Sequence, residues 1–184
     1  SGNYGTVSGG FWNTAIGYAS TVGGGCANTA SGNCSTVSGG RGNTANGSYS
    51  TVSGGYHKTA SNYYSTVSGG RWNTSSGSYT TVGGGQTNNA CGYASTVSGG
   101  YGNTSSGYAS TVGGGCANTA SHFSTVSGGQ NNTASAFGAS TVGGGQNNTA
   151  SGFGASTVSG GCGNTASGNY STASGRSEEH TSEL

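Results

Sequence analysis

A threonine followed by valine returns along this chain at Thr6, Thr21, Thr36, Thr51, Thr66, Thr81, Thr96, Thr111, Thr125, Thr141 and Thr157, and Thr172, followed by Ala173, extends the series. The interval is fifteen residues, apart from one of fourteen and two of sixteen. A unit this short cannot bury its own apolar face, so each must stack on its neighbours. The consensus, Ser-Thr-Val-Ser/Gly-Gly-Gly-x-x-Asn-Thr-Ala-Ser-Gly-x-Tyr, divides into a Thr-Val half and a Thr-Ala half. Each half predicts a short strand, giving two strands and two turns per coil. Strand side chains alternate, so Val37 shares a face with Ser35 while Thr36 and Ser38 share the other; Ala30 likewise pairs with Asn28, and Thr29 with Ser31. Valine and alanine are expected inside and threonine outside. A helical alternative fails because 42 residues are glycine and no 3.6-residue apolar pattern exists. The Gly, Ser, Thr and Asn content would by itself suit a disordered chain, but the strict period argues against that. The fold class is therefore all-β: a parallel β-solenoid of about twelve coils, forming a rod on the order of 55–60 Å long at about 4.8 Å per coil.

Further columns support stacking in register. Asparagine recurs at Asn13, Asn28, Asn43, Asn73, Asn88, Asn103, Asn118, Asn132, Asn148 and Asn164, with Lys58 the exception, and predicts an amide ladder repeating every coil. An aromatic column runs through Tyr4, Tyr18, Tyr49, Tyr64, Tyr79, Tyr93, Tyr108, Phe123, Phe137, Phe153 and Tyr170, shifting by a place or two, and predicts stacked rings between coils. Paired glycines such as Gly39-Gly40 are expected to supply the positive-φ turns.

Charge excludes most chemistry. All three acidic residues, Glu178, Glu179 and Glu183, lie in the last nine, Arg176 to Leu184, which abandon the repeat and read as the in-frame translation of a sequencing adapter. The array is accordingly residues 1–175, read as an internal fragment of a longer repeat protein. Without a carboxylate there is no paired acid/base machinery, no orienting group for a Ser–His triad and no hard oxygen site for calcium. No catalytic residue, metal site or cofactor is expected, and the chain is read as non-enzymatic. His57 and His122 are expected to be single solvated histidines. The array's only full charges are Arg41, Lys58 and Arg71, too few to track a phosphate backbone, so no nucleic acid partner is expected. None of these cations is expected in the core. No apolar run approaches the roughly 20 residues of a membrane-spanning helix. Cys26, Cys116 and Cys162 share a repeat position but lie several coils apart and do not pair within one chain; Cys34 and Cys91 occupy other positions.

One valine and one alanine per coil make a thin core against the ordering cost of fifteen residues, so burial against further copies, a homo-oligomer, is expected. The alternation of Ala-Ser-Gly-x-Tyr-Ser-Thr-Val-Ser/Gly-Gly with Asn-Thr-Ala-Ser-Gly resembles the head repeats of YadA-like trimeric autotransporter adhesins and related repeats of bacterial and phage fibre proteins. The resemblance covers Ser1 to about Gly175. It implies a left-handed β-roll, a trimer, an extracellular location on the bacterial outer membrane, and host matrix or cell-surface molecules as partners. The chain departs from that pattern in its period of fifteen rather than fourteen and in Thr-Val where the family has Ala-Ile.

The position five after the Thr of Thr-Val varies most, from Phe11 through Cys26, Arg41, Tyr56, Arg71, Gln86 and Tyr101 to Cys162. With its neighbours it places Phe11, Trp12, Arg41, Tyr56, His57, Arg71 and Trp72 along one side of the first five coils, a mix enriched at binding surfaces. These are the ligand-contact candidates of a structural and adhesive segment. The alternative is an ice-binding solenoid that uses its outward threonines. Against it, the second outward place after Thr-Val is Ser8, Gly23, Ser38 or Ser53 and never threonine.

Overall fold

A computed structural model describes residues 3–175, and Arg176 to Leu184 lie outside the described residues. The chain is an all-β, parallel β-solenoid of about eleven turns. Every strand is two residues long. The Thr-Val strands, from Thr6–Val7 to Thr172–Ala173, form one 12-stranded parallel sheet; those from Thr14–Ala15 to Thr165–Ala166 form a second sheet of 11. Equivalent residues pair in register, Thr36 with Thr51 and Val37 with Val52, Thr44 with Thr59 and Ala45 with Ala60. The fourteen-residue interval does not break the ladder, because Thr111 still pairs with Thr125; the two longer coils keep register as well, Thr125 with Thr141 and Thr141 with Thr157. The change in length is absorbed in the turn that leads from the Thr-Ala strand to the next Thr-Val strand, where Ser121-His122-Phe123 replaces the usual longer loop.

Alternation produces the core as expected. The valines from Val22 to Val158 and the alanines from Ala30 to Ala150 are fully buried in one continuous column. The paired threonines face outward and are mostly half-buried between their neighbours above and below. Where serine replaces alanine inside, a hydroxyl partner accompanies it: Ser75 lies 2.6 Å from the Thr80 hydroxyl and Ser105 2.7 Å from that of Ser110. The pairing removes the cost of a lone buried hydroxyl.

The asparagine column repeats every coil but works differently from an amide-on-amide stack. Asn103 Nδ2 donates to the carbonyl of Gly99 in its own coil and to that of Gly115 in the next, both at 2.9 Å. Its Oδ1 accepts the Asn118 N–H, also at 2.9 Å. Each buried amide therefore satisfies three backbone groups at the glycine turn, which no apolar side chain could do. Gly40 closes that turn at φ +87°, and a Cβ there would overlap the Gly55 carbonyl, so only glycine fits. Gly39 has no such restraint.

Lys58 corrects the expectation of a core free of cations. It occupies the asparagine position, is fully buried, and its Nζ has no hydrogen-bond partner. Desolvation pushes its pKa down from 10.5 to about 8.

Candidate functional site

The variable position is more ordered than a plain exposed turn. Phe11, Cys26, Arg41, Tyr56, Arg71 and Gln86 join through single-residue parallel bridges, a third in-register line running beside the two sheets. The residue after each one reaches back. Tyr56 N–H donates to the Gly70 carbonyl at 3.1 Å, while His57 N–H donates to the Arg41 carbonyl at 2.9 Å and Trp72 N–H to that of Tyr56 at 3.0 Å. These following residues adopt left-handed backbone: Trp12 at φ 55°, His57 at 47° and Trp72 at 55°. Two side chains per coil are thereby fixed at an outer corner by backbone bonds that the repeat supplies.

Five of the seven candidates come together there. The Arg41 guanidinium carbon lies 5.9 Å from the centre of the Tyr56 ring, and that of Arg71 lies 3.9 Å from the Trp72 ring. Tyr56 meets His57 edge to face at 4.3 Å and approaches Trp72 at 6.3 Å between ring centres. The imidazole lies against its neighbour coil at Gly42, where a Cβ would meet Cε1 at 2.8 Å. Tyr56 is half-buried and Arg41, His57, Arg71 and Trp72 are exposed. Phe11 and Trp12 stay apart: they pack on each other at 5.3 Å, and the coil carrying Cys26 and Ala27 intervenes before Arg41.

This patch concentrates the charge of the rod. Arg41, Lys58 and Arg71 are the only lysine and arginine residues among the described residues, and they lie in three successive coils. No aspartate or glutamate occurs between residues 3 and 175, so neither exposed guanidinium has a carboxylate within the array. Arg41 and Arg71 instead rest on rings, an arrangement that keeps the cation accessible.

The opposite corner carries the aromatic column. Tyr49, Tyr64 and Tyr79 stack with centres 4.9 and 5.1 Å apart, Tyr79 meets Tyr93 at 5.3 Å, and Tyr93 stacks on Tyr108 at 4.9 Å. Phe123 continues it at 5.3 Å from Tyr108, and Phe137 stacks on Phe153 at 5.7 Å. His122 departs from the expectation of a solvated histidine. It is half-buried in the shortened turn, its ring packs on Phe137 at 4.7 Å, and its Nδ1 is buried without a partner. At the two sixteen-residue coils an open groove of about 490 Å³ is lined by Phe137, Phe153, Asn169 and Tyr170. Sequence reading missed the groove; the extra residue in each of those coils was its only sign.

All five cysteines are free. Among the described residues no three His, Cys, Asp or Glu side chains form a group able to hold a metal ion, and no helix is long and apolar enough to cross a membrane. No protein-family model matches the chain, and no curated protein matches it.

Proposed function

We propose that this chain is a structural and adhesive segment of an extracellular surface or fibre protein, a non-enzymatic rod whose irregular corner meets the partner. The observation that carries this reading is the patch of Arg41, Tyr56, His57, Arg71 and Trp72. It departs from the repeat, is largely exposed, and gathers every exposed lysine or arginine of the array on one side of three coils. Regular columns look alike in every coil and supply avidity but little discrimination, whereas an irregular patch of rings and guanidinium groups supplies specificity. The resemblance to YadA-like adhesin heads supports the same reading, and with it a cell-surface location and a trimeric assembly. Self-association also follows from the thin valine and alanine core. In sedimentation equilibrium the chain should weigh a multiple of its single-chain mass; a monomer at all concentrations contradicts the assembly.

Ice binding is the second reading, and one observation favours it. The Thr-Ala sheet presents threonine followed two places later by serine in most coils, as at Thr29 and Ser31, Thr59 and Ser61, Thr119 and Ser121, and Thr149 and Ser151. The Thr-Val sheet carries the same pair in most of its coils, as at Thr36 and Ser38 or Thr66 and Ser68, with glycine at Gly23, Gly83, Gly113 and Gly143, so both sheets present two hydroxyl columns. Thermal hysteresis of the purified chain separates the readings. The adhesive reading expects no freezing-point gap, together with retention of protein-coated beads on matrix-coated or cell-coated surfaces. A clear gap without bead retention overturns it.

A further inference from the structure

We infer that the corner formed by Arg41, Tyr56, His57, Arg71 and Trp72 is a binding site for an acidic linear polysaccharide, one carrying carboxylate or sulfate groups on its sugars. The inference rests on the adhesive reading and names its ligand class. Charge is the first argument. The two exposed guanidinium groups have no acidic partner anywhere between residues 3 and 175, so an anionic ligand is the complementary one, and each group offers a planar fork suited to a carboxylate or sulfate.

Shape is the second. Arg41, Tyr56 and Arg71 occupy successive rungs of one bridge line, so the site is a strip along the rod axis on an outer corner. The backbone positions of the two arginines are two coils apart, about 10 Å at ~4.8 Å per coil. An extended polymer laid along the axis meets Arg41, then the Tyr56 ring, then Arg71 on Trp72, and places an acidic group at each end with a sugar face against the ring between.

Backbone saturation is the third, and it separates a glycan from an acidic peptide. Peptides that dock along strands gain affinity from main-chain hydrogen bonds. Here the N–H groups of Arg41, Tyr56, His57, Arg71 and Trp72 are all committed to carbonyls of neighbouring coils. No main-chain N–H of these five residues is left to pair with an added strand, and rings beside charged forks suit a charged sugar. Two surface cations are also too few for a nucleic acid.

The test titrates the full chain with heparin as the sulfated probe, polygalacturonate as the carboxylated one, neutral dextran, and poly-glutamate, at low and at physiological salt. Heparin and polygalacturonate should bind, weaken with salt, and lose about tenfold or more in affinity in Arg41→Gln/Arg71→Gln and in Tyr56→Ala/Trp72→Ala, with unchanged circular dichroism. Dextran should not bind. Equal binding of poly-glutamate, or polysaccharide binding indifferent to loss of the two rings, overturns the site as one for sugars. Absence of binding to either acidic polysaccharide overturns it outright. If bead adhesion is then still abolished by Trp12→Ala/Tyr56→Ala/Arg71→Ala/Trp72→Ala, the adhesive reading survives and only the ligand class has failed. If polysaccharide binding follows the patch while cell and matrix adhesion ignores it, the adhesive reading is the one that falls.

Discussion

Lys58 is where the repeat departs furthest from its own rule. Its equivalents are asparagines whose Oδ1 accepts the next coil's N–H; a lysine has no acceptor, so the Asn73 N–H loses the side-chain partner its counterparts keep. The ammonium is also buried without a partner. Below about pH 8 Lys58 is protonated in both folded and unfolded chains, and the burial penalty is fully present. Between about 8 and 10.5 the unfolded chain holds the proton and the folded chain does not, so stability should rise with pH through that window and level off above it. The gain should be on the order of 3 kcal/mol. Lys58→Asn should raise the melting temperature at neutral pH and abolish this rise, as followed by thermal melts under reducing conditions; the same rise in the variant assigns it elsewhere. Glycine gives a second residue-scale test. Gly39→Ala should change stability by less than about 0.5 kcal/mol. Gly40→Ala, forced into positive φ against the Gly55 carbonyl, should cost more than about 2 kcal/mol in urea unfolding.

Strands of two residues cannot hold a sheet by themselves, and the column of buried amides shows what holds these ladders between strands. Asn103→Ala should take the side-chain partner from the Gly99 carbonyl and the Asn118 N–H, leave the Gly115 carbonyl with the Tyr101 N–H alone, and cost about 2–4 kcal/mol. Hydrogen exchange should quicken at Asn118 and the flanking turns first; a uniform loss of protection would mean that the amide is not a local staple. The faces of the strands are tested by charge. Val67→Asp puts a carboxylate in the closed column and should cost about 3–5 kcal/mol, while Thr66→Asp, on the outward face, should cost far less. Equal losses would exchange the two faces. These faces were legible in the sequence because alternation and a fixed period leave Val37 and Ala30 one place to go. Less was legible at the corners. The bridge line through Arg41, Tyr56 and Arg71 has no strand signature, since each rung is a single residue with varied side chains. Alternation already put the asparagine position on the inward face, Asn28 beside Ala30, so the burial of Lys58 was within reach of the sequence; the expectation of a core without cations did not carry that alternation through to the one coil that breaks the column. Within the candidate stripe the structure sets Phe11 and Trp12 apart, with the coil of Cys26 and Ala27 between them and Arg41.

At the scale of the whole molecule the array separates two tasks. Valine, alanine, asparagine and the buried glycines repeat without regard to what the outer corner carries, so the rod tolerates Cys26, Arg41, Tyr56 or Gln86 at the same position of different coils. Length changes are tolerated for a related reason: Ser121-His122-Phe123 and the two longer coils alter one corner while both ladders continue in register. A rod of this kind can vary its contact groups coil by coil at little cost in stability, and we propose that partner recognition lies in that irregular corner and not in the repeated columns. The most direct test measures adhesion of beads coated with the full chain to cell-coated or matrix-coated surfaces, for the unmodified chain and for two variants of equal helical-free circular dichroism and melting temperature. Trp12→Ala/Tyr56→Ala/Arg71→Ala/Trp72→Ala should lose most of the adhesion, and Thr51→Tyr/Thr66→Tyr, which alters only an outward column, should keep it; retention in the first variant with loss in the second would contradict the account.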